Sequence, residues 1–235
     1  MACLLVAIIV AGFSFNIVTA RSTFASPLLF HFHGVVMMGG LALYLAQNTL
    51  IFADRVRLHR QLGWIVVAWV PLMVLTGVLM TSYSLQVAGG PPFFDQNQFL
   101  VSNPLHLLGF AGLVAWAIAV RKNTGWHRRL MFCGFATLLG PGVGRLLPSP
   151  LLIPYAWYTV AVLPPILFMV VGIVADSRRY GRAHPAWFWG IGIVLMIQVV
   201  ADLFAYSPAG LAFTEWFIEG TPGAERQPKA FFPLM

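Results

Sequence analysis

The chain is a succession of long apolar runs broken at short intervals by polar turns, and few folds can accept such a pattern. About 20 apolar residues suffice to cross the hydrocarbon core of a bilayer as a helix, and runs of that order follow one another from residue 2 to residue 206. With 59% hydrophobic and only 9% charged residues among 235, there is too much apolar surface for one soluble core and little chain left for a second domain. Backbone polar groups inside a bilayer must be satisfied within their own segment, so the runs read as helices. Hydropathy and punctuation predict them near 2–20, 27–52, 62–83, 104–120, 128–147, 151–174 and 186–206. The expected fold is all-α: an integral membrane bundle of seven transmembrane helices over 1–206, followed by an extracytoplasmic interfacial tail, 207–235. No basic segment precedes residues 2–10, which favours an uncleaved first helix over a signal peptide. Pro27, Pro104 and Pro185 are expected at helix starts, where no donor is lost. Pro71 and Pro164-Pro165 fall inside apolar runs and predict kinks or broken turns.

Charge supplies the orientation. Arg55, Arg57, Arg60, Arg121, Lys122, Arg128, Arg129, Arg178, Arg179 and Arg182 lie in alternate loops, ten of the fourteen basic residues. The other four are Arg21, Arg145, Arg226 and Lys229, so the amino terminus is expected in the cytoplasm and the carboxyl terminus outside, in the cell inner membrane. The net charge of +7 thus reads as topology, with the lipid bilayer and its anionic headgroups as partner and no nucleic acid implied. Cys3 and Cys133 are too far apart for a metal motif or a disulfide framework and read as structural thiols. The third loop, about 84–103, is expected to form an irregular outer cap.

Ionisable groups in the membrane are costly and point to function. Arg145 lies 17 residues beyond Arg128, and Asp202 lies 17 beyond Pro185. Both are therefore expected roughly 26 Å from the cytoplasmic end, where they would meet as an ion pair. Gln198, Asp202 and Tyr206 recur every fourth residue and extend that polar cluster along the last helix. His33 and His106, on the second and fourth helices, are expected in the same outer layer as this cluster. His59 and His127, each beside arginine, stand at the cytoplasmic mouths of the third and fifth helices. Their basic setting also fits helix capping and headgroup contact. A weak internal repeat pairs the second and third helices with the fourth and fifth. The run Gly140-Pro141-Gly142-Val143-Gly144 reads as a site of close helix packing or local unwinding.

This layout of histidines on alternate helices resembles the cytochrome b561 family, in which paired imidazoles hold one haem near each membrane face. The resemblance implies His33 with His106, and His59 with His127, as cofactor-binding residues for haem b or another porphyrin or metal. A second resemblance, covering most of the chain, is to an uncharacterised bacterial family of small multi-helix membrane proteins. It is carried by His33, by Arg57 to Gly63 with the His-Arg-x-Leu-Gly pattern, by His127 to Met131, and by Gly181 to Ala186 with Gly-Arg-x-His-Pro-Ala.

The leading expectation is a membrane metal- or porphyrin-binding protein of b-type haem electron transfer, with His33 and His106 as the favoured metal ligands. Two other readings fit the same residues: a non-catalytic accessory subunit of a larger respiratory or photosynthetic membrane complex, and a small transporter or sensor built on Arg145, Gln198 and Asp202. Retinal is excluded, because the only lysines are Lys122 and Lys229 and neither lies in the last helix. A His-Glu-x-x-His zinc protease is excluded because no glutamate precedes Glu215.

Overall fold

The computed structural model describes residues 1–22 and 24–232, which form helices and turns with no strand among them. The helices are α1 (Ala2–Val18), α2 (Leu28–Phe52), α3 (Val56–Ala88), α4 (Gln96–Ala119), α5 (Thr124–Ala136), α6 (Leu139–Leu146), α7 (Leu163–Tyr180), α8 (Pro185–Ala205) and α9 (Pro208–Ile218). Five stretches are long and apolar enough to cross a membrane: α2, α3, α4, α8, and Tyr158–Tyr180, in which a π turn leads into α7. Their outward faces stay apolar, with Phe52 92% and Leu203 71% exposed. Such a surface suits contact with lipid rather than water.

α4 is the centre of the bundle. It packs against α3, α5 and α8, while α2 lies on the far side of α3 and α1 rests on α6. The core runs through stacked rings: Tyr44 of α2 lies 4.1 Å from Phe135 of α5, which meets Phe110 of α4 edge-on at 5.3 Å. The three basic turns gather at one end, where the His59 and His127 rings meet, Arg128 bonds the Tyr180 hydroxyl at 3.4 Å, and Trp126 contacts His184.

Several boundaries differ from expectation, each for a local reason. The expected helix 128–147 is broken at Thr137 and Leu138 into α5 and α6. Pro141 has no N–H to give the Thr137 carbonyl, and its ring crowds that turn. Helical structure expected from residue 151 resumes only at Ala156, after a 3-10 turn at Ser149–Leu152, and passes into the π turn at Tyr158. Pro148, Pro150 and Pro154 withhold the donors a helix would need there. The π turn Tyr158–Val162 sits just ahead of Pro164-Pro165, where disruption was expected, whereas α3 continues through Pro71. Pro104 is not at a helix start but inside α4, which begins eight residues earlier at Gln96.

The expected cap of 84–103 thereby shrinks to a short connection between α3 and α4, with Gly89 closing α3 at φ +69°. The tail pins this connection. Arg226 donates to the carbonyls of Gly89, of Pro91 at 3.0 Å and of Phe94 at 2.6 Å. Asp95 accepts from the backbone N–H of Ala230 at 2.7 Å and from the Tyr206 hydroxyl at 3.0 Å. Gly223 lies so close to the Leu85 carbonyl that any side chain would collide with it.

The glycine run in α6 does permit close packing. A methyl on Gly12 would strike the Gly142 carbonyl, and one on Gly142 would stand 2.7 Å from the Ile9 Cα. Since both obstacles are backbone, the helices themselves would have to separate. Gly142→Ala is expected to cost about 1–3 kcal/mol, the usual range for overpacking, whereas Gly112→Ala, with nothing within 4 Å of the added methyl, should be neutral. Thermal unfolding of both variants in one detergent checks this, and equal midpoints would show that α1 and α6 do not pack as described.

Candidate functional site

Polar side chains converge at two levels of the bundle. At the basic end, His59 is the fourth residue of α3 and His127 the fourth of α5. Their rings stand 6.2 Å apart between centroids and nearly perpendicular, at 84°. His127 Nδ1 lies 2.8 Å from the Ala117 carbonyl. A carbonyl can only accept, so Nδ1 carries the hydrogen and Nε2 keeps its lone pair in the neutral ring. Nδ1 of His59 is buried without a hydrogen-bond partner, as is Oε1 of Gln47. Buried polar atoms of this kind are rare in finished structures and mark places where something else can bind.

Beside this pair, on the other face of α5, Arg129 makes a two-pronged ion pair with Asp176 of α7. Its Nε and Nη2 reach the two carboxylate oxygens at 2.6 and 2.7 Å. Trp187 of α8 donates to the same carboxylate at 2.7 Å, and Arg129 Nη1 donates to the Gly125 carbonyl at 2.9 Å. The two charged side chains are only 6% and 11% exposed.

At the opposite level, Gln198 of α8 is the hub. Its Oε1 accepts from Trp157 Nε1 at 2.7 Å and from His106 Nε2 at 2.9 Å. Its amide nitrogen donates to Asp202 at 2.8 Å and to Ser102 at 3.4 Å. Asp202 also accepts from Tyr158 at 3.0 Å and Gln98 at 3.4 Å. Because the Trp157 indole can only donate, the amide orientation is fixed, and His106 Nε2 must be the protonated nitrogen.

Gln198 and Asp202 thus come together with His106, as the shared layer required, but Arg145 does not join them. Arg145 donates to the Pro141 carbonyl at 2.7 Å and lies 4.0 Å over the Phe13 ring. Among the described residues, the ion pair formed is Arg129–Asp176 and not Arg145–Asp202. The break between α5 and α6 redirects Arg145 toward α1, because α6 packs on α1 and on the segment leading into α7. Tyr206 gives its hydroxyl hydrogen to Asp95 and not to Asp202.

His33 and His106 are also not brought face to face. Their helices each pack on α3, and Nδ1 of His33 is buried without a hydrogen-bond partner. Among the described residues no three or more His, Cys, Asp or Glu side chains converge as a metal cluster. The Arg129–Asp176 pair went unread in the sequence. Its signal was an aspartate, Asp176, within the last turn of an apolar run and two residues before Arg178.

No family model matches the chain, and no match was found among curated protein sequences or solved structures.

Removing one partner of a buried pair strands the other charge, at a cost of about 3–5 kcal/mol. Arg129→Leu and Asp176→Leu should therefore each lower the detergent melting point sharply, and the double substitution should recover much of the loss. Strictly additive losses would show that the two charges act independently.

Proposed function

We propose that the chain is a seven-span protein of the bacterial inner membrane that holds a b-type haem, or a related metalloporphyrin, between His59 and His127 and serves electron transfer. In this reading α1, at 17 residues, and the α5–α6 pair add two spans to the five long ones. The clustering of ten basic residues in alternate turns supports a cytoplasmic position for that end, with the tail outside.

The observation that carries the reading is the pairing of His59 and His127 across α3 and α5 at 6.2 Å. At that spacing the two imidazoles would be the residues that hold one metal. The absence of a third converging ligand among the described residues bears on the kind of metal. A bare zinc ion asks for about four protein ligands or water, whereas porphyrin iron asks the protein only for axial ones. The donor set therefore fits a porphyrin, and the unpartnered Nδ1 of His59 is the nitrogen left without other employment.

When bound, the iron supplies one-electron chemistry. The chain's own part is to hold and tune the ligands. The Ala117 carbonyl fixes the His127 tautomer and the orientation of its ring. Arg60 and Arg128 follow the two histidines directly and bring positive charge suited to porphyrin carboxylates.

Protein expressed with haem supplementation and purified gently should show a Soret band. That band should be lost in both His59→Ala and His127→Ala and kept in His184→Ala and His33→Ala. A colourless wild-type preparation, or a band indifferent to both inner histidines, sinks the reading.

A further inference from the structure

We propose that the Asp202 carboxylate and the Tyr206 hydroxyl form a binding site for a primary ammonium group, at the end of the bundle opposite the basic turns. This inference does not depend on the haem reading. Asp202 lies 17 residues beyond Pro185 on α8, roughly 26 Å along the helix, close to where the span meets the far interface.

Its two oxygens accept from Gln198, Gln98 and Tyr158, all neutral donors. The arginines that could neutralise it are engaged elsewhere. Arg129 belongs to Asp176, Arg145 lies over Phe13, and Arg226 is spent on the carbonyls of the α3–α4 connection. Among the described residues no cationic side chain forms an ion pair with this carboxylate, which leaves a cation from outside the chain as its complement.

A shallow, open depression lies beside it on one face of α8 and the turn that follows, lined by Val199, Asp202, Leu203, Tyr206 and Ser207. The Tyr206 hydroxyl has given its hydrogen to Asp95, so only its lone pairs remain for a ligand. Burial, reinforced by Asp95, pushes the pKa of this phenol upward, which keeps it protonated and neutral. The Ser207 hydroxyl likewise directs its hydrogen to the Phe204 carbonyl. The polar lining therefore accepts and does not donate, and an ammonium, with three donors and no acceptor, is its complement. One carboxylate is a poor set for calcium, which takes six to eight oxygens. A quaternary ammonium has no N–H to give. The flanking Val199 and Leu203, 57% and 71% exposed, suit the short carbon chain next to an amine. The amine can be free in solution or can be the ethanolamine headgroup of a lipid.

The test uses the full chain in nanodiscs of pure phosphatidylcholine, with radiolabelled ethanolamine in equilibrium dialysis and empty discs as blank. Saturable binding of one ethanolamine per chain is expected, competed by ethylammonium far better than by tetramethylammonium. Asp202→Asn should weaken it at least tenfold and Tyr206→Phe several-fold. Val199→Trp, which fills the depression without touching a hydrogen bond, should weaken it with the melting point unchanged, so the inference stays testable if Asp202→Asn does not fold. Discs containing phosphatidylethanolamine separate the sources: loss of free-ethanolamine binding identifies the lipid headgroup, and unchanged binding identifies the free amine. No saturable binding above empty discs, or equal binding in wild type and the folded variants, overturns the proposal.

Discussion

The ion pair between Arg129 and Asp176 fixes the geometry on which the basic end of the bundle depends. Taking two charges out of water is expensive, and it is tolerated only where geometry and extra hydrogen bonds offset the loss of solvation. Both conditions hold: the guanidinium meets the carboxylate at two points, Trp187 adds a third donor, and the Gly125 carbonyl takes a remaining N–H. Three helices, α5, α7 and α8, are thereby held in one register. The consequence reaches His127, two residues earlier on α5. At 3.6 residues per turn, a separation of two places side chains on nearly opposite faces. With Arg129 committed to α7 and α8, His127 must point the other way, toward α4 and α3. There it meets the Ala117 carbonyl and the His59 ring.

A second constraint shapes the rest: inside a bilayer each backbone group needs a partner, so a helix can break only where the freed groups are taken up. Prolines decide where donors are missing, and nearby hydroxyls repair some of the loss. Thr137 bonds the Gly134 carbonyl at 2.7 Å as α5 ends, and Ser149 bonds the Gly144 carbonyl at 2.9 Å as α6 ends. What the break gains is the approach of Gly142 to α1, possible only with hydrogen in place of a side chain. Beyond the span the same accounting recurs in the tail, where the Arg226 guanidinium satisfies carbonyls that the turn after α3 leaves open.

Much of this was legible in the sequence. The apolar runs that became α2, α3, α4 and α8 were plain from their length, and the gathering of basic turns at one end followed from their alternation. Gln198 with Asp202 was readable as a polar stripe because the two are one helical turn apart. In one misreading, local punctuation was given weight that packing overrode. Pro104 looked like a helix start, yet α4 runs on through it from Gln96, whose buried side chain is held by the Gly223 carbonyl at 3.0 Å, 127 residues away. Arg145 and Asp202 matched in depth, but depth along a helix says nothing of azimuth, and the break at Thr137 turned Arg145 toward Phe13. Arg129 and Asp176 are 47 residues apart, and within a basic turn nothing in the sequence singles out the one arginine that faces inward.

The two histidine pairs, alike in the sequence, differ in how their members are placed. His33 and His106 were expected in one layer, and their helices, α2 and α4, both pack against α3. His106 is moreover bound into the Gln198 hub, where its Nε2 hydrogen fixes an acceptor shared with Trp157. Withdrawing it would remove one of the two hydrogen bonds to that oxygen, a loss on the order of 1 kcal/mol. In the inner pair, His59 and His127, the rings already meet and one nitrogen of His59 is unspent. His106 thus serves the polar hub in which Gln198 also bonds the Asp202 carboxylate.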